Sequence, residues 1–230
     1  PESIKRLPVC GDFGKPAVEA IFSLRTTHLL VAGLEQPVVA ETLRQGGVKV
    51  LVLPTNRIED YYAAVAAIGD ELGVAAAATE ENRRVRRGIT AFRREIRDLP
   101  DTQRPLVYFE VWGDPPMTVG RDSYLHQMIT LAGGRNLGEA QPGGYFRCSS
   151  EWVIARAPAV IIAPAMSPSQ GADLARRPGW QAIPAIRERR IYVALDQNLL
   201  YRLGPRLLDG LALLRRCIRP PTPDAEKDKP

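Results

Sequence analysis

The chain has 230 residues, enough for one large domain or two small lobes around a packed core. Hydrophobic residues make up 45% and charged residues 25%, an ordinary globular balance, and no run approaches the roughly 20 apolar residues of a membrane span. The net charge is +5, but the cations gather in "ENRRVRRGITAFRREIR" and "IRERR" with few aromatics between them. That pattern reads as solvated helix faces rather than a nucleic-acid surface.

In chain order, residues 17–25 predict a short helix, followed by a strand near 28–32. "PVVAETLRQGG" predicts a helix stopped at Gly46-Gly47, and "VKVLVLP" a buried strand. This alternation is that of a parallel sheet covered by helices. "TNRIEDYYAAVAAIGDELG" opens on a Thr55/Asn56 cap and puts Ile58, Tyr61, Tyr62, Val65 and Ile68 on one stripe. Thr79 is the expected cap of a long helix on which Val85, Ile89, Phe92 and Ile96 recur at helical spacing. Beyond it, "PLVYFEVW" predicts a strand, "DSYLHQMITLAGG" and "SSEWVIARAP" helices, and "AVIIAP" a buried strand. "GWQAIPAIRERRIYVA" predicts a short helix turning into a strand, and "GPRLLDGLALLRRCI" a last amphipathic helix. The expected organisation is therefore an N-terminal α/β lobe over 1–76, a connecting spine helix over 77–99, a C-terminal α/β lobe over 100–218 and a flexible tail over 219–230. Both lobes are expected to be Rossmann-like, with parallel sheets and a ligand cleft between them.

One pattern occurs twice, 132 positions apart: an aromatic (Phe13, Tyr145), a glutamate six residues later (Glu19, Glu151), then an apolar run ten residues beyond. An internal repeat implies a pseudo-symmetric molecule, and in bilobed α/β proteins the loops at strand ends line the ligand crevice. An aromatic on each wall suits a large, flat ligand; the other reading makes each a local plug for its own lobe. Each glutamate falls in the first turn of its helix, where the dipole favours an anion. They are either simple caps or a pair of exposed carboxylates that a partner's arginines could grip. Catalysis is not expected: the chain has no GxSxG, no HExxH and no phosphate-cradling glycine loop. Two histidines and three cysteines without metal spacing predict no metal site.

"GDFGKPAVEAIFSL", "VWGDPPMTVGRDSYLHQMITLAGGRNL", "SSEWVIARAPAVII" and "GPRLLDGL" together resemble the periplasmic cobalamin-binding proteins of ABC importers. These belong to a helical-backbone substrate-binding family that also takes haem and iron–siderophores, and the resemblance runs from about Leu7 to Leu214. It implies a binding protein without intrinsic cofactor that captures a corrinoid such as cobalamin and hands it to a membrane permease. It also implies ligand contacts at Phe13, Trp112, Met117, Tyr145 and Asn198, with docking to the permease through Glu19 and Glu151. A monomer at the outer face of a membrane is expected. Relatives carry a strand and helix before the point where this chain starts, so the first lobe is expected to lack its first strand and to expose an edge. Some members join the helix before Gly-Gly to the last helix by a disulfide; the first position here is Ala132, which leaves Cys217 without that partner. Haem is the rival ligand within the family, with Tyr145 or Tyr201 as axial oxygen donor. A relative that binds no ligand and serves as an interaction domain is a further alternative.

Overall fold

Short apolar runs bounded by glycine or proline become strands in this chain, and stripes of helical period become the helices that cover them. The computed structural model describes residues 2–12, 15–32, 37–164, 171 and 173–220. The chain divides into two compact α/β units, Pro1–Thr55 and Asn56–Pro230.

The first unit starts with a short antiparallel pair, β1 (Gly11–Asp12) and β2 (Lys15–Pro16), followed by α1 (Val18–Ser23). β3 (His28–Val31), α2 (Pro37–Gln45) and β4 (Lys49–Val52) complete it. β3 and β4 pair in parallel, Leu29 opposite Val50, in a sheet of two strands among the described residues. Gly47, at φ +84°, takes the left-handed conformation that lets the chain turn out of α2 into β4. Ile21, Leu43 and Val48 form the buried core. The run containing β4 was expected to be buried, yet Val52 is 48% exposed and Leu30 of β3 44%. Two strands cannot enclose each other's apolar side chains, so the core here depends on α1 and α2.

The second unit opens with α3 (Ile58–Glu71) and α4 (Ala75–Ile96), the latter 22 residues and so about 33 Å long. Its sheet is centred on β5 (Leu106–Gly113), which pairs in parallel with β7 (Arg135–Asn136) and β9 (Val160–Ala163). β9 in turn pairs in parallel with β10 (Ile191–Val193). The last residues of β5 leave this parallel part and pair antiparallel with β6 (Pro116–Val119), which pairs antiparallel with β8 (Tyr145–Arg147). Further helices are α5 (Tyr124–Leu131), α6 (Ser150–Arg156), α7 (Pro184–Arg187), α8 (Gln197–Leu200) and α9 (Leu207–Ile218).

Alternation along the strands divides the side chains between two cores. Val107, Phe109, Val160 and Ile162 pack under α3, α4, α5 and α9. Tyr108, Ile161 and Ala163 pack under α6 and the 174–185 segment. All four residues of β9 are buried, as its sequence predicted.

Three expectations change. The first lobe was to run to residue 76, but α3 packs in the second unit: Ile58 and Tyr61 share a core with Val85 and Ile89. Polar contacts reinforce this, with Tyr61 Oη donating to Glu81 Oε1 at 2.6 Å and Ile58 N to Gln127 Oε1 at 2.7 Å. The start of α3 is capped from within, by Asp60, whose carboxylate accepts from Asn56 N at 2.8 Å and Arg57 N at 2.9 Å. α4 begins four residues before Thr79, because the preceding alanines are the best helix formers. Four arginines of α4 are engaged: Arg83 and Arg87 pair with Glu80, Arg84 with Glu81, and Arg86 lies 3.9 Å from the ring centroid of Tyr62 on α3. Cys10, Cys148 and Cys217 are all free thiols, the last of them buried. Of the predicted tail, residues 221–230 lie outside the described residues.

Candidate functional site

The carboxyl end of β5 carries the feature that organises this region. Glu110 pairs with Thr118 and Trp112 with Met117, so one extra residue, Val111, is inserted as a bulge. Neighbours on β6 point to opposite faces. Glu110 and Trp112 are therefore sent to opposite faces although they stand only two residues apart. Without the bulge, the indole would follow Glu110 into the interior.

β8 continues the pairing, with Met117 opposite Arg147, Thr118 opposite Phe146 and Val119 opposite Tyr145. One face of this ribbon thus presents Trp112, Met117 and Arg147 as a transverse row, with Val119 and Tyr145 as the next rung. Trp112 is 63% exposed and Tyr145 46%, whereas Val119 is fully buried and ties the face to the core. Trp112 Nε1 donates to Asp114 O at 2.8 Å, which fixes the orientation of the indole. Gly120, just beyond β6, has no room for a side chain: a Cβ there would stand 2.3 Å from Gly143 O. This close approach lets the loop before β8 close over β6.

The phenols on this side of the ribbon form a cluster. Burial pushes the Tyr145 phenol above its ordinary range, and the neighbouring Tyr124 hydroxyl opposes that shift. Tyr124 Oη donates to Leu200 O at 2.9 Å, tying α5 to α8. Tyr201 packs edge-on against Phe109 at 6.1 Å, and its buried hydroxyl has no hydrogen-bond partner among the described residues. On the opposite face, Glu110 is 2% exposed and accepts from Arg177 Nη1 and Nη2 at 2.7 and 2.9 Å. Tyr108 Oη also donates to Glu110, at 2.9 Å. Removing one partner from such a buried pair costs about 3–5 kcal/mol, so Arg177 pins the segment after β9 firmly to the end of β5.

The sequence-predicted residues are distributed as follows. Trp112, Met117 and Tyr145 come together on the ribbon face. Asn198 is exposed on α8, where its N–H donates to Asp196 Oδ1 at 2.9 Å and its Oδ1 accepts from Arg202 Nε at 3.0 Å. Its helix is tied to α5 by the Leu200–Tyr124 bond. Phe13 lies outside the described residues. Glu19 and Glu151 are each the second residue of their helices, α1 and α6, and both are exposed. The Glu151 carboxyl is held below the usual carboxylate range, first by its own backbone N–H and then by the Ser149 hydroxyl. Sequence reasoning missed Arg147 and Tyr124. The first was within reach, since strand alternation in "YFR" puts Arg147 on the same side as Tyr145.

Among the described residues no cluster of histidine, cysteine, aspartate or glutamate could hold a metal ion. A groove of about 590 Å³ runs along α4, lined by Thr79, Asn82, Arg83, Arg86, Arg87 and Thr90. Its lining contains no aromatic, so a flat apolar ligand has nothing to stack on there. The ribbon face is the better site despite its openness.

Comparison with known proteins places this geometry in context. A family model described as "Periplasmic binding protein" matches residues 2–197. The uncharacterized ABC transporter substrate-binding lipoprotein YvrC of Bacillus subtilis (strain 168) is 23% identical over 227 residues, which cover 96% of this chain and 71% of that protein. A periplasmic haem-binding protein from Pseudomonas aeruginosa is 29% identical with a TM-score of 0.84, over 96% of this chain and 81% of its own. A periplasmic vitamin B12-binding protein of Vibrio cholerae superposes with a TM-score of 0.75 at 19% identity, over 100% of this chain and 86% of its own. At that identity the last likeness speaks for the fold alone.

Proposed function

This chain belongs to the periplasmic binding protein family, and we propose that it captures haem and delivers it to the permease of an ABC importer. The family serves transport by binding rather than catalysis, and its members present a small molecule to a membrane partner. The observation that carries the haem reading is the ribbon face of the second unit, where Trp112, Met117 and Tyr145 stand on one side of three paired strands. Indole and thioether offer a broad apolar surface to a macrocycle, with little rotamer freedom lost at the indole. Tyr145 adds a phenol oxygen of the kind that ligates haem iron.

Two further points support haem over the corrinoid that the sequence motifs implied. The haem-binding relative is 29% identical, against 19% for the vitamin B12-binding protein. A phenol also finds a use in the haem complex as an axial ligand, which a purely apolar wall would not need. Within the same reading, Glu19 and Glu151 dock onto arginines of the permease, and the protein is held at the outer face of its membrane, as the name of the Bacillus subtilis lipoprotein suggests for that relative.

Colour tests the assignment. Purified protein is incubated with hemin, cyanocobalamin or a ferric siderophore, desalted, and its visible spectrum recorded. The expected result is a retained Soret band with hemin, whose position and charge-transfer bands change in Tyr145→Phe. Substituting Trp112 and Tyr145 together by alanine should weaken binding by about 2 kcal/mol or more, the scale of anchor residues. A retained corrin spectrum without a Soret band would make cobalamin the ligand. Retention of none of the three would end the reading.

A further inference from the structure

Among the side chains of the ribbon face, Arg147 is the odd one. It stands directly opposite Met117, which stands opposite Trp112, so a guanidinium closes a row that is otherwise apolar. Three other arginines of this unit are occupied. Arg177 is spent on Glu110, Arg156 lies 4.1 Å from the Trp152 ring centroid, and Arg202 donates to Asn198. The Arg147 side chain is exposed, and its guanidinium has no hydrogen bond or ion pair among the described residues. A free guanidinium at the rim of an aromatic surface has two parallel donors and matches a carboxylate better than any neutral polar group.

We propose that Arg147 is a specificity-determining residue that forms an ion pair with a carboxylate on the edge of the bound macrocycle. The assignment rests on the haem reading above. Haem carries two propionates, and a ring lying over Trp112 and Met117 would bring one edge to the β8 side of the ribbon. Arg147 then sets the orientation of the ring and discriminates against macrocycles whose edge groups are neutral.

The experiment compares iron(III) protoporphyrin IX with its dimethyl ester, which keeps the ring and the iron but removes both charges. Affinities are measured by absorbance titration for the wild-type chain, Arg147→Gln and Arg147→Lys, with thermal melts to confirm that all three are folded. The wild type should prefer the free acid by about tenfold or more, the range of a charge-assisted hydrogen bond. Arg147→Gln should lose that preference by binding the acid more weakly while its affinity for the ester is unchanged. Arg147→Lys should keep part of it, because the charge remains and the fork does not. A wild-type chain that binds both compounds equally, or an Arg147→Gln chain that discriminates as the wild type does, overturns this assignment and leaves the haem reading standing. A wild-type chain that binds neither compound overturns the haem reading and this inference with it.

Discussion

β4 in the first unit and β9 in the second come from similar text, "VKVLVLP" and "AVIIAP", and end in different surroundings. Every residue of β9 is buried, whereas Val52 of β4 is about half exposed. The strands themselves do not explain this. β9 lies between β5 and β10 with helical layers over both faces, while β4 has one partner among the described residues. Burial is a property of the layers around a strand, and an apolar run only makes a strand fit for it.

Substitutions can break or sharpen that contrast. The largest effect is expected at β9, where Ile162→Ala should cost about 2–5 kcal/mol in denaturant unfolding, because the fully enclosed site leaves a cavity. Val52→Ala in β4 should stay within about 0.5 kcal/mol, as at other exposed positions. Equal losses at the two would show that the first unit buries its sheet as well as the second does. The smallest effect on stability is expected at the paired glutamates. Glu19→Lys and Glu151→Lys should each leave folding close to that of the wild type and hemin retention unchanged. Their effect should emerge only in reconstituted uptake with the cognate permease, which the double variant should abolish. Uptake that survives the double reversal would show that these carboxylates are helix caps and nothing more.

Much of the architecture was legible because it rests on local signals. The stripe Val85, Ile89, Phe92 and Ile96 marked α4, the Gly133–Gly134 pair marked the end of α5, and the uninterrupted apolar run marked β9. The duplicated motif also has a structural counterpart, since Glu19 and Glu151 occupy the same position in helices that each precede a four-residue parallel strand. What could not be read depended on pairing across distance. Which unit α3 joins is decided by Ile58 and Tyr61 meeting Val85 and Ile89, and an amphipathic stripe does not say what it will pack against. The ribbon face is a similar case. Trp112 and Met117 were named from the resemblance to a family and Tyr145 first from the repeated motif; the bulge at Val111 and the register of β6 with β8 put them on one side and add Arg147 to them.

That shared face is what the functional reading stands on, and Met117 reports on it directly. The chain has three methionines, of which Met117 lies on the ribbon and Met128 in the core. With methyl-labelled methionine and zinc protoporphyrin, a diamagnetic stand-in for haem, the ring current of a bound macrocycle should displace the Met117 methyl resonance strongly and that of Met128 far less. Saturable binding that leaves Met117 unmoved would mean that the ligand sits elsewhere and that the ribbon is not its wall.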